Sequence, residues 1–152
     1  MARGDLTVFE EAKAYMIDGD FGSTDTIKLA LITNAVVPTA ADAVPGINAG
    51  ATTTYTECTA GGNYTAGGET LDTLANMVTE AAGTMTFDDT GASVTWTQNG
   101  ASPTDAYYAV VYNSSDTGLE RAFCFIDLAG PIDMTAGDLT VTWNASGIFT
   151  IT

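Results

Sequence analysis

A chain of 152 residues in which 45% of side chains are apolar and 15% charged has the size of one domain and is too apolar to stay disordered. Nineteen acids stand against four bases, Arg3, Lys13, Lys28 and Arg121, for a formal net charge of −15. That balance excludes nucleic-acid binding, which needs clustered Lys and Arg to displace counterions from phosphates, and it weighs equally against anionic membrane surfaces.

The first segment, LTVFEEAKAYMID, sets Leu6, Phe9, Ala12, Tyr15 and Met16 at helical spacing, with Glu10, Glu11 and Lys13 on the polar side. The spacing predicts a short amphipathic helix from Leu6 to Ile17, capped by Asp5 and stopped at Gly19. Residues 1–19 would thus form a helical appendage to a single β-rich domain spanning 1–152. After a turn-rich stretch, IKLALIT alternates Ile27, Leu29 and Leu31 with Lys28, Ala30 and Ile32. That pattern predicts a central strand with two apolar faces. From Asn34 to Thr54 the chain is rich in Ala, Thr, Pro and Gly, punctuated by Pro38 and Pro45. It predicts a long loop or arm, and loops beyond roughly 12–15 residues usually carry a contact function or are disordered.

The block YTECTAGGNYTAGGETL carries glycine pairs on either side of Tyr64 and predicts a turn or bulge between short strands. LDTLANMVTEAAG has a weak helical pattern. The runs that follow it, MTFDD, SVTWTQN, AYYAVVYN, RAFCFIDL, DLTVTWN and GIFTIT, are short, β-branched and aromatic, with turn-forming residues between them. Such spacing predicts a mainly β fold, an antiparallel sandwich or jelly-roll-like domain. Both faces of Asp105 to Asn113 are apolar, so that strand is expected at the centre. Leu139, Val141 and Trp143 share one face opposite Thr140 and Thr142, so that strand has one wet side.

Chemistry is thinly represented. Histidine is absent, which removes the usual general base and the commonest metal ligand together. The carboxylate pairs Asp88-Asp89, Asp18 with Asp20, and Glu10-Glu11 fall in turns or on a polar helix face, where solvated charge is the ordinary reading. Tyr107, Tyr108, Tyr112, Trp96 and Trp143 invite comparison with a sugar-stacking platform, yet aromatics at strand spacing are more often core. The stretch from Asp18 to Asp25 has a faint calcium-loop pattern, but Gly22 and Leu29 stand where an EF-hand needs an acid and a glutamate. Cys58 and Cys124 lie far apart without a CxxC, and buried free thiols are the expected state. The triplets at Asn63, Asn113 and Asn144 match the glycosylation pattern, but Met1 to Asp5 lacks a basic stretch followed by an apolar run, so the chain is expected to stay in the cytoplasm where it is made. No enzyme activity, cofactor or metal is expected.

The short N-terminal helix, IKLALITNA with its Pro-rich loop, GGNYTAGG, AYYAVVYNSS and the closing GDLTVTWNASGIFTIT together resemble a group of small structural proteins of tailed-bacteriophage virions. The resemblance covers most of the chain and implies a β-rich, oligomeric protein made in high copy number, with no catalytic residues to carry over. Chain size, acidity and lack of chemistry point within that group to a capsid decoration or cement protein. It would be a homotrimer on the outer surface of the expanded head, with the major capsid protein as partner. A tail or fibre component and a carbohydrate-binding module are the alternatives. The contact candidates are Phe9, Tyr15 and Met16 on the helix and Val36, Val37, Pro38, Val44, Pro45 and Ile47 on the arm.

Overall fold

The computed structural model describes residues 4–18, 21–91 and 93–151, with the Ile17 side chain left aside. Gly19 as the helix stop, and Asp20 as half of a carboxylate pair and part of the calcium-like stretch, lie outside the described residues. The chain opens with β1 (Leu6–Val8) and α1 (Glu10–Asp18), followed by β2 (Thr26–Ile32) and two short bridging strands, β3 (Pro45–Gly46) and β4 (Thr53–Thr54). Next come β5 (Glu69–Thr73), the single-turn α2 (Leu74–Met77), β6 (Val78–Ala81), β7 (Thr84–Phe87) and β8 (Ser93–Trp96). The last four are β9 (Ala106–Asn113), β10 (Ala122–Ile132), β11 (Leu139–Thr142) and β12 (Phe149–Ile151). The protein is mainly β and its sheets are antiparallel except for the β3 to β4 bridge.

The expected helix starts later than its pattern implied. Leu6 to Val8 form a strand instead, because β-branched Thr7 and Val8 find ladder partners on β10, with Leu6 opposite Ile126 and Val8 opposite Cys124. The inward face survives the change, since Phe9, Ala12 and Tyr15 are all buried. The weak helical pattern after Leu71 shrinks to α2, flanked by strands on both sides.

A five-stranded sheet in the order β1-β10-β9-β2-β5 forms the centre, with β9 in the middle and β2 beside it. Ile27, Leu29 and Leu31 point to one face and Ala30 and Ile32 to the other, and both faces are buried. The first face is covered by two smaller sheets, β11-β8 and β12-β7-β6, giving a sandwich. Between the layers Phe123 stacks near Phe21 and Phe87 at centroid distances of 4.5 and 5.0 Å, and Phe87 near Phe149 at 4.7 Å. A bulge in β10 makes this possible. Ala122 pairs with Tyr112 and Cys124 with Val111, so Phe123 is the extra residue, and Phe123 and Cys124 both pack in the first-face core.

The second face is covered without regular sheet. Phe9, Ala12 and Tyr55 close over Ala30, Ile32, Val110 and Phe125, with the Phe9 ring 5.2 Å from Phe125 and 5.9 Å from Tyr55. The Asn34 to Thr54 segment runs across this side, so it is a strap packed on the domain. A free arm would leave Ile32, Val110 and Phe125 wet, and burying them outweighs the entropy of ordering the loop.

Candidate functional site

The strap is pinned by carboxylates and backbone. Glu11 Oε2 on α1 accepts the Tyr15 hydroxyl and, at 2.7 Å, the Val44 N–H. Asp42 accepts the Thr39 N–H at 3.0 Å, the Thr39 hydroxyl at 2.6 Å and the Tyr55 hydroxyl at 2.7 Å. Burial raises the Asp42 pKa, but the Thr39 and Tyr55 hydrogen bonds outweigh it and leave the carboxyl below its ordinary value. Further along, the Ile47 N–H donates to the Glu120 carbonyl at 3.3 Å and the Asn48 N–H to the Leu119 carbonyl at 3.4 Å. Gly46 is required at this crossing, since a Cβ there would lie 2.4 Å from the Leu119 carbonyl oxygen. Val44 and Glu120 take up left-handed backbone at φ 42° and 50°, a strained region for a β-branched residue above all.

These contacts decide which contact candidates reach the surface. Phe9, Tyr15, Pro38 and Pro45 are buried, while Met16, Val44 and Ile47 are half-buried. Met16 lines a small apolar recess with Phe21, Leu74, Val78, Met85 and Phe87, of about 300 Å³. Val36 and Val37 stand out, 37% and 56% exposed, and they are the exposed large hydrophobics among the described residues. They sit at the turn after β2. A residue before proline is steered away from helical backbone, and Val36 and Val37 together form a short exposed apolar pair ahead of buried Pro38.

A second surface feature escaped the sequence reading. The outer edges of β1 and β11 flank a groove of about 570 Å³ whose apolar lining includes Leu6, Ile126, Leu128, Leu139, Val141 and Trp143, and none of its lining among the described residues is charged. Exposed Thr140 and Thr142 form part of its rim. The alternation of β11 was legible, but its nearness to β1 arises from two separate sheets meeting, which no local pattern records.

Arg121, several carboxylates and most of the aromatics are absorbed structurally. Arg121 lies 4.7 Å above the Tyr15 ring and 3.3 Å from Asp116, and Lys28 is half-buried, so Lys13 is the exposed base among the described residues. No sugar platform is assembled: Trp96 and Tyr112 are buried, Tyr107 and Tyr108 point to opposite faces, and the half-buried Trp143 donates its indole N–H to Asp89 at 3.2 Å. Glu57 accepts the Tyr64 hydroxyl and the Gly67 N–H, each at 2.6 Å, which ties the glycine-paired element to the sheet. Asp25, from the calcium-like stretch, accepts the Gly22 N–H at 2.9 Å and the amide of fully buried Asn113 at 2.7 Å. Cys58 and Cys124 are free, buried thiols.

No helix among the described residues is long and apolar enough to cross a membrane. Comparison of the chain with protein-family models, curated proteins and solved structures finds no match.

Proposed function

We propose that this protein is a structural component of a bacteriophage virion, a capsid decoration or cement protein that acts as a trimer on the outer surface of the expanded head. It binds across the joints between major capsid protein subunits. The observation that carries this reading is the placement of charge. With Arg121 turned onto Tyr15 and Asp116 and Lys28 half-buried, the surface of the described residues is acidic almost throughout, and its uncharged features include the exposed Val36-Val37 pair, the groove beside β1 and β11 and the recess at Met16. An acidic surface repels DNA and keeps a high-copy protein soluble until it meets its lattice. Association is then left to the uncharged patches.

The mechanism is mechanical. A protein that binds the expanded lattice and not its precursor stabilises the expanded form by mass action, against the pressure of packaged DNA. Co-sedimentation of the purified protein with expanded shells of the phage that encodes it tests the reading. Saturation near one copy per lattice position is the expected result. Protein that stays in the supernatant at all concentrations overturns it.

A further inference from the structure

We propose that Asn99 is a site of spontaneous deamidation, its side-chain amide attacked by the backbone nitrogen of Gly100 to give a mixture of aspartate and isoaspartate. This goes beyond the proposed function and does not depend on it. The chain has seven asparagines, and Asn99 is the one followed by glycine. It lies in the connection between β8 and β9, where Asn99 and Gly100 are both exposed. The Asn99 side chain folds back on its own backbone. The Ala101 N–H donates to Asn99 Oδ1 at 3.0 Å and the Ser102 N–H to the Asn99 carbonyl at 2.9 Å. The ring closed by the first of these bonds contains both the side-chain carbonyl carbon and the Gly100 nitrogen, so the two reacting atoms are held within one tight turn. The Gly100 N–H gives no hydrogen bond among the described residues, and glycine has no Cβ to shield its nitrogen.

The reaction balances with water alone. The Gly100 nitrogen gives its proton to solvent base and bonds to Asn99 Cγ, and negative charge gathers on Oδ1, where the Ala101 N–H already points. The Cγ–Nδ2 bond then breaks, ammonia leaves with a proton taken from solvent, and a succinimide ring remains. Water opens that ring at either carbonyl, giving aspartate or isoaspartate and adding one negative charge to the chain. Isoaspartate also puts an extra methylene into the main chain of a turn whose Ser102 hydroxyl receives the Asn63 N–H at 3.3 Å, which loosens the tie to the glycine-paired element. Two other asparagines accept the same side-chain bond and serve as controls within the molecule. The Ser146 N–H donates to Asn144 Oδ1 and the Gly147 N–H to the Asn144 carbonyl, each at 2.9 Å, but Ala145 stands in the place of the glycine. The Ser115 N–H donates to Asn113 Oδ1 at 2.9 Å, yet Asn113 is fully buried, its amide donates to Asp25 at 2.7 Å, and the Ser114 N–H that would attack it is donated to the Thr26 carbonyl at 3.0 Å.

Incubation of the native protein in mildly alkaline buffer, with peptide mass spectrometry and isoaspartate detection at intervals, tests this. Asn99 is expected to convert more than about tenfold faster than Asn144, whose turn differs by one Cβ beside the attacking nitrogen. Asn113 should stay intact while the fold holds. The rate at Asn99 should rise with pH, because the attacking nitrogen must first lose its proton. Gly100→Ala should bring Asn99 down to the Asn144 rate with unchanged melting, since a Cβ at position 100 meets no atom within 4 Å beyond its chain neighbours and the backbone there is not left-handed. Ala145→Gly, at an exposed position, should in turn make Asn144 labile. An Asn99 that stays amidated, equal rates at Asn99 and Asn144, or rapid conversion of Asn99 in folded Gly100→Ala overturns the inference.

Discussion

The two faces of the central sheet are covered by different means. Over the first face lie two small sheets whose side chains interlock as an aromatic row through Phe21, Phe123, Phe87 and Phe149. Over the second lie α1 and an irregular strap, held by Glu11, Asp42 and the carbonyls of Leu119 and Glu120. Dispersion and apolar burial hold the first cover, and they depend on neither pH nor the geometry of single hydrogen bonds. The second depends on a few hydrogen bonds to carboxylates, each replaceable. One face should therefore govern global stability and the other local opening.

The largest expected effect is at Phe123. Its ring is fully buried between layers, and truncation leaves a cavity that a bulged strand cannot close, so Phe123→Ala should cost about 3–5 kcal/mol in denaturant unfolding. The two thiols report the same cover, since both pack in the first-face core. Burial, with the nearby Asp105, pushes the Cys58 thiol up to about 12, and burial raises that of Cys124. Neither should react with a thiol reagent at pH 8 in the native protein, and Phe123→Ala should speed their labelling before unfolding is otherwise visible. Rapid labelling of the wild type would contradict the closed first face.

Next in size is Gly68, at φ +68° with its would-be Cβ 2.0 Å from the Leu29 carbonyl oxygen. Gly68→Ala meets both a strained backbone and a backbone clash, so it should destabilise by more than ~1 kcal/mol, read by thermal melting. Tyr55→Phe should cost about 1 kcal/mol by removing the hydroxyl that reaches Asp42. Its effect should appear first as faster amide exchange between residues 39 and 48. Acid should act on the same place. The folded pKa of Asp42 lies below its ordinary value of 3.8, so its contribution is complete above that value and is lost as pH falls through the folded one. Exchange in the strap should rise on acidification below about pH 4 while the β9 and β10 amides stay protected, and Tyr55→Phe should blunt that rise. Equal exchange on both faces at every pH would erase the distinction between the covers.

The first face was far more legible in the sequence than the second. Alternation in β2 and β11 and the doubly apolar β9 follow from a period of two, a local signal. Phe9, Ala12 and Tyr15 kept their inward face because helical spacing is also local. The strap had no period to read. Its course is set by Glu11 meeting Val44 across 33 positions in sequence and by the Ile47 N–H reaching Glu120, contacts that only the folded chain brings together. Of the candidates chosen there for being apolar, Pro38 and Pro45 are therefore buried and Val44 and Ile47 half-buried, while Val36 and Val37 remain outside beside the inward-turned Pro38. The groove was invisible for the same reason, being the gap between two sheet edges.

The smallest expected effect distinguishes strain that is incidental from strain that the fold requires. Ala82 and Gly83 form the two-residue turn of the β6 to β7 hairpin, where Ala81 pairs with Thr84, and both have positive φ, 52° and 82°. A turn of this kind favours Asn followed by Gly, and alanine sits there at a cost in the left-handed region. Ala82 is exposed, so Ala82→Asn loses no packing and should raise stability by about 0.5–1 kcal/mol in denaturant unfolding. Val44 has the same backbone strain at φ 42° but is half-buried where its N–H meets Glu11. Val44→Gly relieves the strain yet loses the side chain that helps seat the strap, so no gain in global stability should follow and strap amides should exchange faster. A matching gain at both positions would mean that the strap, like the hairpin, rests on its own local geometry and owes nothing to the contacts beneath it.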